Sequence, residues 1–409
     1  MADRSVLDLT PDTDGIVDLA VLGDDFVRDP YPVYAALRRR GTVHHVRTPE
    51  GALGWLVVGH EAARAALNDP RLSKDWANAS PEAGTLSISP GTHMLISDPP
   101  DHTRLRKLVS RQFTPRRIAA LEPRIRELTA GLLDRMLADP DGRADLVEAL
   151  AFPLPIAVIC ELLGVPDLER ERFSAWSDHV LSAAPEEEKR GSIEALSGYL
   201  TELLERQRAR PGEDLLSLLI RTSDEDGDRL STGELHGMAW LLLVAGYETT
   251  VGLIANGALA LLCHPDQLAA LRADPALLDG AVEEMLRYDG PVETSTYRFT
   301  REPLEIDGTL IPGGGRLVLP VLADADRDPA RFPEGDRFDI RRESGGHLAF
   351  GHGIHFCLGA PLARLEARIA FGMLLERTDR LELDASPAAL EWRQGTVLRG
   401  VKSVPVRFG

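Results

Sequence analysis

The sequence predicts a mainly α-helical protein with smaller β-sheets, and two changes of period carry that assignment. Apolar residues recur every three or four positions from His60 to about Asp289, whereas alternation of period two marks the stretches before His60 and after Gly290. A third observation bounds the class: 44% of the 409 residues are hydrophobic and 27% are charged, an ordinary composition for a soluble globular chain with a buried core.

Within Tyr31–Gly59, the run TVHHVRTPEGALGWLVVG alternates on both sides of the Pro49-Glu50-Gly51 turn, so a hairpin or meander is expected to open the fold as a sheet edge. Helix boundaries then fall at Pro115, Pro140, Pro153, Pro166, Pro211 and Pro265. Ala239–Cys263 is long enough to span a bilayer and contains one charged residue, Glu248. With Glu248, a Thr pair and glycines in its interior, it is expected to be the central buried helix of a soluble protein. Beyond Gly290, TYRFTREPLEIDGTLIPGGGRLVLPVL reads as strands joined by Asp-Gly and Gly-Gly-Gly turns. Asp324–Gly346 is rich in Pro, Arg and Asp without periodicity, a long irregular loop that a compact domain keeps only where it has a job. The glycine-rich stretch 351–359 leads into one more amphipathic helix and then strands. No internal repeat or low-complexity linker divides the chain, so residues 1–409 are expected to form a single domain.

A formal charge of −18 argues against a nucleic-acid partner or an anionic membrane surface, so any basic patch must be local. Cys160, Cys263 and Cys357 are too few and too far apart for a disulfide framework, and the start of the chain, MADRSVLDLTPDTDG, has no secretory pattern. A cytoplasmic location is expected, where thiols stay reduced.

The stretch from Phe350 to Gly359 is the most informative. Gly351, Gly353 and Gly359 let the backbone turn sharply and approach a flat ligand. Cys357 stands just before a helix that Pro361 suits at its first turn, where the helix dipole and nearby amides favour a thiolate able to bind iron. The alternatives are a buried core cysteine or a zinc site with His352 and His355, the latter one ligand short of a closed structural site. Glu284 and Arg287 lie one helical turn apart and can pair on one face. Leu241, Ala245 and Thr249 share a face of the long helix with Glu248 beside it; Thr249 can hydrogen-bond back toward the carbonyl of Ala245, or simply be a polar group satisfied by its own backbone. His102 and Arg106 lie four apart on the helix that Asp101 opens. Cys160 and Cys263 sit in apolar stretches and are expected to be inert core residues.

Phe350-Gly351-x-Gly353-x-His355-x-Cys357-x-Gly359 resembles the heme-binding loop of the cytochromes P450 at every position that defines it. PYPVYAAL, RLSKDW, PPDHTRLRKLV, RTSDEDGDRL, PVETSTYRF and HLAFGHGIHFCLGAPLARLEARIAF extend the resemblance over nearly the whole chain, and look most like the actinomycete enzymes that tailor macrolides, the pikromycin-type hydroxylases. The resemblance implies a triangular helical body with a long central helix over the heme and a β-rich edge. It implies heme b as cofactor, held by a loop that includes Phe350, Gly351 and Gly359, with Cys357 as the iron ligand. Glu248 and Thr249 would be the acid–alcohol pair that supplies protons for oxygen activation. Glu284 and Arg287 would be the E-x-x-R motif, completed by Arg337 from the irregular loop. His102, Arg106, Arg298 and His355 would contact the heme propionates.

As partners the resemblance implies a ferredoxin and its reductase, drawing on NAD(P)H, because the chain offers neither a flavin domain nor an iron–sulfur cysteine cluster. Arg104, Lys107, Arg111, Arg116, Arg117, Arg364 and Arg368 could form a local basic face for an acidic ferredoxin. A monomer is expected, with no nucleic-acid or membrane partner. The substrate would be a bulky apolar small molecule, a macrolide or other polyketide, oxidised at a C–H or C=C bond. Leu241, Ala245, Val292, Thr294 and Val397 are the candidate pocket wall. Asn78–Ile96 offers only Glu82 to a cationic amino sugar, so a neutral macrolactone, another polyketide or a fatty acid stays open. A heme-based binder or sensor without turnover, or a peroxide-driven heme-thiolate protein, would be the other readings.

Overall fold

A computed structural model of the chain describes residues 9–83, 91–166, 176, 186–221 and 229–409. Residues 84–90 of the 78–96 loop, and 222–228 of the RTSDEDGDRL stretch, lie outside the described residues. In chain order the strands are β1 Val17–Asp18, β2 Val43–Arg47, β3 Leu53–Val57, β4 Leu72–Ser73, β5 Arg143–Asp145, β6 Arg298–Thr300, β7 Leu304–Ile306, β8 Thr309–Ile311, β9 Leu317–Pro320, β10 Leu381–Leu383 and β11 Pro405–Phe408. The chain gathers into two compact units, each built from three separate stretches.

The first unit takes the described residues through Ala83, Glu283–Cys357 and Glu391–Arg399. Its main sheet has six strands in the order β1-β2-β3-β9-β6-β4. The β2–β3 hairpin turns where the Pro-Glu-Gly signal predicts, pairing Val43 with Val57 and Arg47 with Leu53. β3 then runs parallel to β9, from Gly54 opposite Leu317 to Val57 opposite Pro320, so strands far apart in sequence share the centre of the sheet. Val46, Leu56, Phe299, Leu319 and Val321 form its apolar face together with Tyr34 and Leu37. Those last two come from a helix, Tyr31–Arg40, in a region expected to be wholly extended. Pro32 in its first turn and the buried residues Tyr31, Val33, Tyr34 and Leu37 give it a helical stripe. A two-stranded ribbon, β7–β8, follows Arg298–Thr300. From Asp326 to His352 the backbone has turns and bends but no regular element, as the composition predicts.

The second unit takes the described residues between Gly91 and Val282, Leu358–Leu390 and Gly400–Gly409. Its axis is the 32-residue helix Thr232–Cys263. Ser231 and Glu234 form a reciprocal capping box at its start: the Glu234 amide donates to the Ser231 hydroxyl (3.2 Å) and the Ser231 amide to the Glu234 carboxylate (2.8 Å). The helix is apolar and long enough to cross a membrane, but 78% of its most apolar window is buried within the protein, which makes it a core helix. It packs against Pro153–Leu163, Glu186–Ala209 and Ala360–Arg377. Gly246 faces the first of these so closely that a Cβ would stand 2.8 Å from Cδ1 of Ile159. Arg124 on Glu122–Leu137 donates to Glu161 (2.7 Å), tying two more helices together. A small sheet, β10-β11-β5, completes the unit. Cys160 is buried as expected; Cys263, expected in the core, is exposed where the long helix ends.

Candidate functional site

In the first unit, Cys357 is an exposed thiol outside any disulfide and ends an irregular loop. The loop is held by its own backbone: the Gly351 amide donates to the Leu348 carbonyl (2.7 Å) and the Cys357 amide to the Phe350 carbonyl (2.9 Å). Gly353 has a φ of +74°, and a Cβ there would stand 2.3 Å from the Asn68 side-chain oxygen, so this turn accepts only glycine. His355 sits half-buried in the tight turn Gly353–His355. The rings of Phe350 and Phe356 lie 6.3 Å apart, and Phe356 is 41% exposed, leaving apolar surface bare beside the thiol. Gly359 and Pro361 then start the helix Ala360–Arg377.

The Glu284–Arg287 pair is a frame for the irregular loop. Both side chains have no exposed surface, and Arg287 reaches Glu284 through Nε at 2.7 Å and Nη2 at 2.8 Å. Arg287 also donates to the carbonyls of Asp326 (2.7 Å), Gly335 (2.8 Å) and Arg337 (3.1 Å). Glu284 accepts from the Ser344 hydroxyl (2.7 Å), the Asp339 amide (2.9 Å) and Arg342 Nε (3.3 Å). The loop arginine that completes the charge cluster is therefore Arg342, not Arg337. The Arg337 side chain is 59% exposed, near Glu334 and Asp339, and contributes to the frame only through its backbone carbonyl. DRFDIRR contains three arginines, and composition alone could not tell which one points inward.

In the second unit, the Thr249 hydroxyl donates to the Ala245 carbonyl at 3.0 Å, the back-bond predicted from spacing. Between Leu235 and Leu261 the one exposed residue of the long helix is Ala245; Leu241 and Glu248 are buried and Thr249 half-buried. Between those residues the helix is thus covered except at the turn that carries Ala245, Glu248 and Thr249. His102, on Asp101–Ser110, is 2% exposed, which excludes a solvated surface histidine. Burial, and then the neighbouring Arg106, pull its pKa below the usual histidine value, favouring a neutral ring. Arg106 is half-buried on the same helix, whereas Arg298, buried in β6, belongs to the first unit.

Of the candidate wall residues, Leu241 and Ala245 share a face of the long helix. Val292 and Val397 lie in the first unit, where Val292 bridges Leu398 and the Val397 carbonyl accepts from the Glu293 amide (2.9 Å). Thr294, expected in the wall, has no exposed surface and spends its hydroxyl on the Thr396 carbonyl at 2.9 Å, so it is a packing residue. The basic face is also smaller than expected. Arg104 is bound to Glu234 and Arg368 reaches Asp279 at 3.2 Å, while Lys107, Arg116 and Arg117 are exposed.

Two acids escaped the sequence reading. Glu366, on Ala360–Arg377, is 1% exposed with Oε2 lacking any hydrogen-bond partner, and burial pushes its pKa up to about 8. Its signal was present: an acid between Leu365 and Ile369 on an apolar stripe. Asp326 is 2% exposed and accepts from the Leu348 amide at 2.5 Å. Nothing in the local pattern of LADADRDP distinguishes it from its acidic neighbours.

The family model "Cytochrome P450" matches residues 179–387. The cytochrome P450 monooxygenase PikC of Streptomyces venezuelae is 60% identical over 393 residues, which cover 96% of this chain and 94% of that protein. A vitamin D(3) 25-hydroxylase of Pseudonocardia autotrophica is 49% identical over 94% of this chain and 95% of its own length. The solved structure of the tirandamycin C-bound P450 monooxygenase TamI superposes with a TM-score of 0.88 at 45% identity, covering 96% of this chain and all of that one. With the exposed thiol, its loop and the uncovered turn of the long helix, these likenesses make the chain a member of the cytochrome P450 family, a heme-thiolate monooxygenase close to the actinomycete macrolide and polyketide hydroxylases.

Proposed function

We propose that the chain, acting as one cytochrome P450 domain of the cytoplasm, inserts one oxygen atom from dioxygen into a C–H or C=C bond of a bulky apolar molecule, a macrolactone or related polyketide. The second oxygen atom leaves as water, which requires two electrons and two protons per turnover. Heme b, when bound, supplies the activation of dioxygen. The residues present fit that group: an exposed thiol outside any disulfide, and the bare Phe356 ring beside it, suit a flat apolar ligand with a metal at its centre.

In this reading Cys357 is the thiolate ligand and Phe350, Gly351 and Gly359 shape its loop. Arg298, Arg106, His355 and the neutral His102 hold the propionates, the arginines by charge and the histidines by hydrogen bonds. Thr249 and Glu248 move the two protons. Electrons arrive from NAD(P)H through a ferredoxin reductase and an acidic ferredoxin, which docks by way of Lys107, Arg116 and Arg117 on a monomeric enzyme. Leu241 and Ala245 offer an apolar wall, and Glu82 forms an ion pair with Arg316, so no acid is left over to greet an amino sugar among the described residues of the 78–96 loop. A neutral macrolactone is favoured on that ground.

The observation that carries the proposal is the uncovered turn at Ala245, with the Thr249 hydroxyl seated on its carbonyl. The test is turnover of a neutral macrolactone, an amino-sugar macrolide and vitamin D(3) under labelled dioxygen with a surrogate ferredoxin system. Labelled product should come chiefly from the neutral macrolactone, and Thr249→Ala should yield roughly tenfold less product per NADPH consumed. Absence of any oxidised product would leave a binder or sensor as the reading, and product without label would overturn dioxygen as the source of the inserted atom.

A further inference from the structure

The cysteine loop is tied to the Glu284–Arg287 frame by more than the frame itself. Arg287 grips the Asp326 backbone carbonyl (2.7 Å), and the Asp326 carboxylate in turn holds the Leu348 amide (2.5 Å). From Leu348 the grip passes to Gly351 through the Leu348 carbonyl, and from Phe350 to Cys357 through the Phe350 carbonyl. Every link in this chain lies in one compact unit. We propose that Asp326 is a positioning residue for the Cys357 loop, its carboxylate joining the buried Glu284–Arg287 frame to the backbone that presents the thiol. The inference rests on the assignment of Cys357 as iron ligand.

Asp326 is ionised at neutral pH with little margin. Burial pushes the carboxyl of Asp326 up to about 6, while His347, His60, Arg287 and the Leu348 amide pull it down. His347 is paired with Glu283 at 3.1 Å, and His60 meets the Gly346 carbonyl at 3.0 Å and Glu61 at 3.2 Å. The nearby acids Asp324 and Asp328 are engaged elsewhere, with Arg38 and with the His60 amide. Because the Leu348 amide favours the ionised form, ionised Asp326 binds the loop more tightly than protonated Asp326 by the same free energy. Below about pH 6 that extra grip is lost.

The test reads the reduced carbon-monoxide complex of the holoprotein, whose absorption separates thiolate ligation from the short-wavelength form in which it is lost. Asp326→Ala should raise the share of the short-wavelength form about tenfold at pH 7, the effect expected when one hydrogen bond to a charged acceptor is removed. In the native protein that share should grow between pH 7 and pH 5. Asp326→Asn, which keeps an acceptor of the same shape, should restore most thiolate ligation and show no such growth. A spectrum of Asp326→Ala matching the native one overturns the proposal; if that variant does not fold, Asp326→Asn tracking the native protein at every pH overturns it. Cys357→Ser, measured in parallel, separates this from the ligand assignment: if it keeps the thiolate band, the assignment itself has failed.

Discussion

A single buried acid shows what the interior demands of ionisable groups. Glu366 has no compensating partner for Oε2, and desolvation alone raises its pKa to about 8 from the ordinary glutamate value of about 4.5. Between those values the folded protein holds a proton that the unfolded chain releases, so stability is greatest below about pH 4.5 and falls as pH rises toward 8. The slope is at most about 1.4 kcal/mol per pH unit. Glu366→Gln removes it. In thermal unfolding of the holoprotein, the variant should melt above the native protein at pH 8, with the gap closing toward pH 5; parallel curves at all pH values would show that Glu366 is ionised in the fold. Arg287 illustrates the opposite solution, a buried charge given its counter-ion and three carbonyls. Breaking such a pair by removing one partner costs about 3–5 kcal/mol.

At the scale of elements, the long helix Thr232–Cys263 and its neighbour Pro153–Leu163 meet through a glycine. Gly246→Val would drive side-chain atoms into Ile159, already 2.8 Å from the position of a Cβ. A loss of roughly 1–3 kcal/mol is expected. Ile159→Ala should recover part of it in a double-mutant cycle read by denaturant unfolding, and additive effects would show that the contact is not the cause. This explains where sequence reading succeeded and where it did not. The long helix, the β2–β3 turn and the Thr249 back-bond were legible because each depends on local spacing. The Tyr31–Arg40 helix was hidden because its short stripe adjoins alternating strands. The Arg337 and Thr294 expectations failed because which of several similar side chains turns inward depends on packing partners remote in the chain: Glu284 takes Arg342, and the Thr396 carbonyl takes the Thr294 hydroxyl.

At the scale of the whole molecule, a chain of net charge −18 that takes electrons from an acidic ferredoxin, as proposed above, needs a local basic face to receive it. Arg104 and Arg368 are paired within the fold and contribute little field, whereas Arg116 and Arg117 stand exposed on the surface. Arg116→Glu with Arg117→Glu should slow reduction by an acidic ferredoxin about tenfold at low salt, with the two proteins converging as ionic strength rises. Stopped-flow reduction measures this, and a salt-independent difference would point to a change other than docking.

The parallel pairing of β3 with β9 sets a timetable for the ribosome. β3 emerges early, yet the strand that fills its open side, Leu317–Pro320, follows only after most of the second unit has been made, on the order of tens of seconds later. During that wait the nascent hairpin offers a bare backbone edge to other chains, a template for wrong pairing. Expression at low temperature with chaperones in excess should favour the folded product for that reason.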